Sequence, residues 1–68
     1  MKIEFSTWEY LKEHGKEPKG WGWWMFTFEG YLFEATGTLT EAKKKCREFV
    51  KAVAPKGYSE TVTVNVEP

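Results

Sequence analysis

The sequence predicts a small α+β domain of two layers, with the order α-β-β-α-β. Its three-stranded antiparallel sheet has the order 2-1-3, and one long helix packs on one face of that sheet. Three observations predict it. Two aromatic-rich runs flank Glu29-Gly30, an amphipathic segment follows Thr38, and an alternating valine run closes the chain. All of it fits in residues 1–68 as a single domain.

The first element is a short helix, expected over Thr7 to His14. Ser6-Thr7-Trp8-Glu9 matches a capping box, in which Ser6 accepts from the Glu9 amide. Phe5 and Tyr10 occupy the positions of a hydrophobic staple around it. Gly15 supplies the left-handed stop. The stripe of Trp8, Leu11 and His14 needs a surface to dock on, because two turns of helix are not stable alone. Before the helix, Lys2-Ile3-Glu4-Phe5 alternates polar and apolar residues, consistent with a short strand or an ordered lead-in.

Residues 16–22 read as loop, punctuated by Pro18, Gly20 and Gly22. Trp23 to Phe28 and Tyr31 to Thr36 then read as a hairpin turning at Glu29-Gly30, where Gly supplies positive φ. Pairing about that turn sets Phe28 opposite Tyr31, Phe26 opposite Phe33 and Trp24 opposite Ala35, all on one face. The other face carries Trp23, Met25 and Thr27 against Leu32, Glu34 and Thr36.

Gly37 is expected to end the second strand. Thr38-Leu39-Thr40-Glu41 forms a second capping box and opens the main helix, Leu39 to Val53. Leu39, Ala42, Cys46, Phe49, Val50 and Val53 make one stripe, which suits the Trp24/Phe26/Phe33 face. Pro55-Lys56-Gly57 turns the chain into a last strand from Tyr58 to Val66, with Val62, Val64 and Val66 inward.

Composition limits the function classes. A chain of 68 residues buries only about 60% of the surface its unfolded form exposes. Rings make up 18% of residues and carry much burial each. A single Cys allows no internal disulfide, and with one His it assembles no zinc cluster. A reducing, cytoplasmic setting is the expectation, supported by a start, KIEFSTWEY, without the apolar run of a signal peptide or a membrane span. No cofactor, metal or membrane partner is expected.

Catalysis has little to work with. Asp is absent, so every carboxylate side chain is a Glu. Cys46 lies on the apolar helical stripe, where a thiol serves as a small hydrophobe. His14 sits in a last helical turn, where its charge suits the dipole. Glu9 and Glu41 belong to caps, Glu29 to a turn, and Glu34 stands alone on a strand face. The expectation is therefore a protein that is not an enzyme. The loop KEPKGWG has lysines and glycines but leads into a strand, so the helix N-terminus that receives a phosphate is missing.

Two binding surfaces remain. Trp21, Trp23, Met25 and Leu32 form an aromatic patch with Lys19 at its rim, the composition of a protein interface. The bland alternative is that the short helix folds over this patch through Trp8 and Leu11. The second surface is a basic stripe on the long helix: Lys43, Lys44, Lys45, Arg47 and Lys51 against Glu41 and Glu48. Lys43, Lys44, Arg47 and Lys51 are its candidate phosphate contacts, with exposed tryptophans available to stack on bases. A formal net charge of zero argues instead for a solvated helix face.

Two resemblances rest on motifs. Glu34 to Phe49, EATGTLTEAKKKCREF, resembles the end of a double-stranded RNA-binding domain, although the strand order differs and the Gly-Pro-x-His loop is absent. Pro18-Lys19-Gly20-Trp21-Gly22-Trp23-Trp24-Met25-Phe26 fits P-x-G-x-G-x-W-x-F, and Gly37 to Lys43 fits G-T-x-[ST]-E-A-K. With the final strand ending in Pro68, this pattern is similar to small proteins encoded by bacteriophages and prophages. The resemblance implies a protein that binds and blocks a host protein in the host cytoplasm, as anti-CRISPR proteins do. The partner it implies is a host macromolecule or a second copy in a homodimer.

Overall fold

A computed structural model describes residues 2–53 and 61–68. Its elements are β1 (Lys2–Ser6), α1 (Trp8–His14), β2 (Trp21–Phe28), β3 (Tyr31–Thr38), α2 (Leu39–Val53) and β4 (Thr61–Val66). The four strands form one mixed sheet in the order β1-β4-β2-β3. This is a small α+β domain, as the sequence predicts, but the sheet corrects the expectation of three antiparallel strands. The run β3-β2-β4 keeps its expected order, and β1 adds a fourth strand parallel to β4. The alternation of Ile3 and Phe5 explains why it fits there. Both face the core beside Val62 and Val64, their register partners, while Lys2 and Glu4 turn outward and pair at 3.2 Å.

The hairpin has the expected register. Phe28 pairs with Tyr31, Phe26 with Phe33 and Trp24 with Ala35. Glu29 and Gly30 both take positive φ, 44° and 84°, which matches the twist a two-residue hairpin turn requires. The strands run two residues further than expected at their open end, from Trp21 and to Thr38. Gly37 therefore lies inside β3 and does not terminate it.

α2 begins and ends at the expected residues. Thr38 caps it by accepting from the Glu41 amide at 3.2 Å, and the Thr38 hydroxyl also donates to the Glu41 carboxylate at 3.1 Å. The Leu39 amide donates to the Gly20 carbonyl at 2.8 Å, tying the helix start to the loop before β2. The Ser6 cap expected for α1 is absent. Ser6 ends β1, and Thr7 stands at the cap with no side-chain hydrogen bond to the helix. Its hydroxyl donates to Glu17 at 3.2 Å instead. Gly15 closes α1 in the left-handed conformation, φ 71°. The Pro55-Lys56-Gly57 turn and the expected strand start at Tyr58 lie outside the described residues.

The core is buried between the sheet and α2. Trp24, Phe26 and Phe28 meet Val62, Val64 and Val66 from the sheet and Leu39, Ala42, Cys46 and Val50 from the helix. Rings connect the layers: Phe28 meets Phe49 edge-on at 5.9 Å, and Phe49 stacks on Phe33 at 5.0 Å, while within the sheet Phe5 meets Phe26 edge-on at 5.7 Å. Such pairs add roughly 0.5–1.5 kcal/mol each beyond their burial. The expectation of one helix on this face is also revised, because α1 sends Tyr10 to the same core, 6.0 Å from the Trp24 ring.

Candidate protein-interaction face

The position of α1 decides what the opposite sheet face looks like. Its docking residue, Tyr10, packs with Trp24 on the α2 side of β2. Adjacent residues of a strand point to opposite faces, so Trp23 and Met25 point away from both helices. Trp23 remains 67% exposed, Trp21 76% and Leu32 53%. Met25 is half-buried and Lys19 exposed. The helical lid that the sequence allowed over this face is not formed, and its Trp8 is itself exposed.

The open face is divided in character. Its β1 and β4 half is polar, carrying Lys2, Glu4 and Ser6 beside Thr61, Thr63 and Asn65. Its β2 and β3 half carries the tryptophans. Cross-strand partners are Trp21 with Thr38, Trp23 with Thr36, Met25 with Glu34 and Thr27 with Leu32. Leu32 is thus diagonal to Met25, and the apolar residues form a stripe running obliquely over two strands. Thr27 donates to the Glu67 carboxylate at 2.6 Å at the border between the two halves.

The residues that point at the stripe's flank were not legible in the sequence. A groove of about 430 Å³ runs beside β2, with Tyr10, His14, Lys19, Trp23, Met25 and Pro68 among its walls. Tyr10 and His14 stack at 4.2 Å and form one side. His14 therefore works as an aromatic wall rather than only as a helix-end charge. The groove is walled by α1 on one side and β2 on the other, a meeting of separate elements with no local signal.

The basic stripe lies elsewhere. Lys44, Arg47 and Lys51 are exposed on α2 and Lys43 is half-buried, so the stripe and the exposed tryptophans occupy opposite layers. Lys43 and Arg47 reach over the Phe5 ring, at 5.4 and 5.1 Å. Lys44 and Lys45 share a shallow depression with Glu41 and Glu48. A nucleic acid lying on α2 would not reach Trp21 or Trp23 for stacking.

Cys46 is fully buried on the inner side of α2. Burial pushes its thiol up to about 11, with neighbouring Arg47 pulling weakly the other way. A thiol in that state is a poor nucleophile. Among the described residues, no group of three or more His, Cys or Glu is placed to hold a metal. No described helix is long and apolar enough to cross a membrane.

Fold and site together define a small two-layer α+β protein with one helix-covered sheet face and one open, tryptophan-bearing face. Comparison with protein-family models, curated proteins and solved structures gives no match.

Proposed function

We propose that this chain is a non-enzymatic binding protein that acts by protein–protein interaction through Trp21, Trp23, Met25 and Leu32, with Lys19 at the rim. The observation that carries the reading is the exposure of Trp21, Trp23 and Leu32 on a sheet face that neither helix covers. Exposing large rings in a domain this small forgoes burial worth about 25 cal/mol per Å². Contiguous apolar surface of this kind marks interaction sites, and Trp is the residue most enriched among binding hot spots. The motif likeness to phage-encoded proteins supports a host macromolecule as the partner and occlusion as the mode of action, as in an inhibitor of a host defence system.

The test is paired variants. Trp21→Ser with Trp23→Ser removes the aromatic anchors; Lys44→Glu with Arg47→Glu reverses the basic stripe. Tagged protein is used to isolate partners from bacterial lysate, and each recovered partner is titrated against the purified variants. The reading requires that the tryptophan pair weaken binding at least about a hundredfold, as the loss of two hot-spot residues would. It also requires the charge-reversed pair to bind as the parent does. The opposite pattern would establish the α2 stripe as the functional surface.

A further inference from the structure

The charges of the open face change sign along its apolar stripe. Met25 stands between two glutamates in one row of the sheet. Glu34 is its register partner on β3, and on its other side the Glu67 amide donates to the Met25 carbonyl at 2.9 Å. Register partners project to the same face, so Glu34, Met25 and Glu67 share the open one. With neighbouring strands roughly 4.8 Å apart, the two glutamates start about 10 Å from each other. Trp23, 67% exposed, occupies the next row, about 7 Å along β2.

The two carboxylates are held differently. Glu67 is half-buried, and the Thr27 hydroxyl donates to it at 2.6 Å, fixing it beside the stripe. Glu34 is exposed, and among the described residues no hydrogen bond or ion pair occupies its carboxylate. Elsewhere on this face Lys2 and Glu4 neutralise each other at 3.2 Å. Lys19 lies at the other end of the stripe, with Trp21.

We propose that the Met25 row takes an arginine side chain of the partner protein, its stem over Met25, its guanidinium flat on the Trp23 ring and its N–H groups on the Glu34 carboxylate. This rests on the binding-protein reading above and names the partner's chemistry. Charge complementarity selects the occupant, since an acidic surface here would set like charges against Glu34 and Glu67. A planar guanidinium meets a carboxylate and stacks on a ring at once, which a lysine ammonium does not. A second copy docked face to face supplies no arginine, because Arg47 is the only one in the chain and belongs to α2 in the other layer. Lys19 at the far end sets the direction of docking, with an acidic group of the partner on that side.

The probe is a capped pentapeptide Ala-Leu-Arg-Leu-Ala, compared with the same peptide carrying citrulline, which keeps the shape of arginine and lacks its charge. Each is titrated into the isotopically labelled full chain and followed by NMR. We expect saturable shifts of the Trp23 indole and the Glu34 carboxyl, with the arginine peptide binding at least about threefold more tightly than its citrulline counterpart. Glu34→Gln should erase that preference. Glu48→Gln, the same change of charge on α2, should leave it intact. An unmoved Trp23 indole, equal binding of the two peptides, an arginine preference that survives Glu34→Gln, or Trp23 shifts that follow protein concentration without peptide would each overturn the proposal. The last would assign the face to a second copy. No arginine preference, with partner binding still lost in the tryptophan variants, would leave the face reading standing without the arginine.

Discussion

The indole nitrogen of Trp24 donates to the carbonyl of Gly37 at 3.2 Å, a bond that reaches across the hairpin and fixes which of two adjacent tryptophans belongs to the core. Trp24 lies over Gly22, where an added Cβ would sit 3.6 Å from its ring. Gly22 and Gly37 are cross-strand partners, so the pair makes a shallow slot for the indole. Trp23, one residue earlier, has no such slot on its side and points to solvent.

The two glycines of that slot are expected to respond differently to substitution. Gly37 has φ 126°, a conformation that side chains resist, so Gly37→Ala should cost about 1–3 kcal/mol. Gly22 has an ordinary backbone and room at van der Waals distance, so Gly22→Ala should change stability by about 0.5 kcal/mol or less. Urea unfolding midpoints of the two variants test this, and equal losses would contradict the slot geometry.

Core and open face should separate cleanly in stability. Phe26 is fully buried at the centre of the ring network. Phe26→Ala should cost about 3–5 kcal/mol, enough to leave a domain of this size largely unfolded. Leu32→Ser on the open face should stay within about 0.5 kcal/mol of the parent. Thermal melting followed by circular dichroism distinguishes the two.

Cys46 gives a pH signature. Its thiol is held at about 11 in the folded chain against 9.0 in an unperturbed one. As pH rises through that window the unfolded state loses its proton first, so the contribution to stability is present below pH 9 and lost toward 11. The stability of the parent should therefore fall more steeply over pH 9–11 than that of Cys46→Ala, which lacks the group. Labelling by iodoacetamide at neutral pH should proceed only at the rate of unfolding. Fast labelling of the native protein would show that the thiol is not enclosed.

Nucleic acid should have little effect on this protein. The basic residues of α2 are interleaved with Glu41 and Glu48, and the whole chain has no net charge. Titration with single- and double-stranded DNA and RNA at low salt should leave tryptophan fluorescence unchanged. Saturable quenching that weakens steeply with salt would indicate phosphate contacts and redirect attention to Lys44 and Arg47.

Local patterns made much of the fold legible. The Glu29-Gly30 turn determines hairpin register, because a one-residue slip would place Phe26 and Phe33 on opposite faces. The Thr38 cap and the stripe from Leu39 to Val53 define α2 within its own residues. The Ser6 cap failed for a reason the same logic explains. Ser6 pairs with Asn65 in the sheet, and strand pairing took the residue that the cap would have used.

The candidate site was legible in composition but not in shape. Trp23, Met25 and Leu32 could be placed on one face from the period of the strands alone, while Trp21, expected in the loop, joins them because β2 begins there. That this face stays open follows from Tyr10, whose contact with Trp24 draws α1 to the other layer. The groove beside β2 needed still more, since it is formed where Tyr10 and His14 of α1 meet Trp23 and Met25 of β2.

The sequence by itself determined where each helix and the hairpin turn lie, to within two residues at their ends, and which side of each element is apolar, because those properties come from contacts within a few residues. Tertiary structure alone decided that β1 joins β4 in parallel and that α1 leaves the tryptophans uncovered. Each of those is a choice among distant surfaces of similar chemistry. It is settled by which packing buries Ile3, Phe5 and Tyr10 together with the core, and no short-range pattern encodes that.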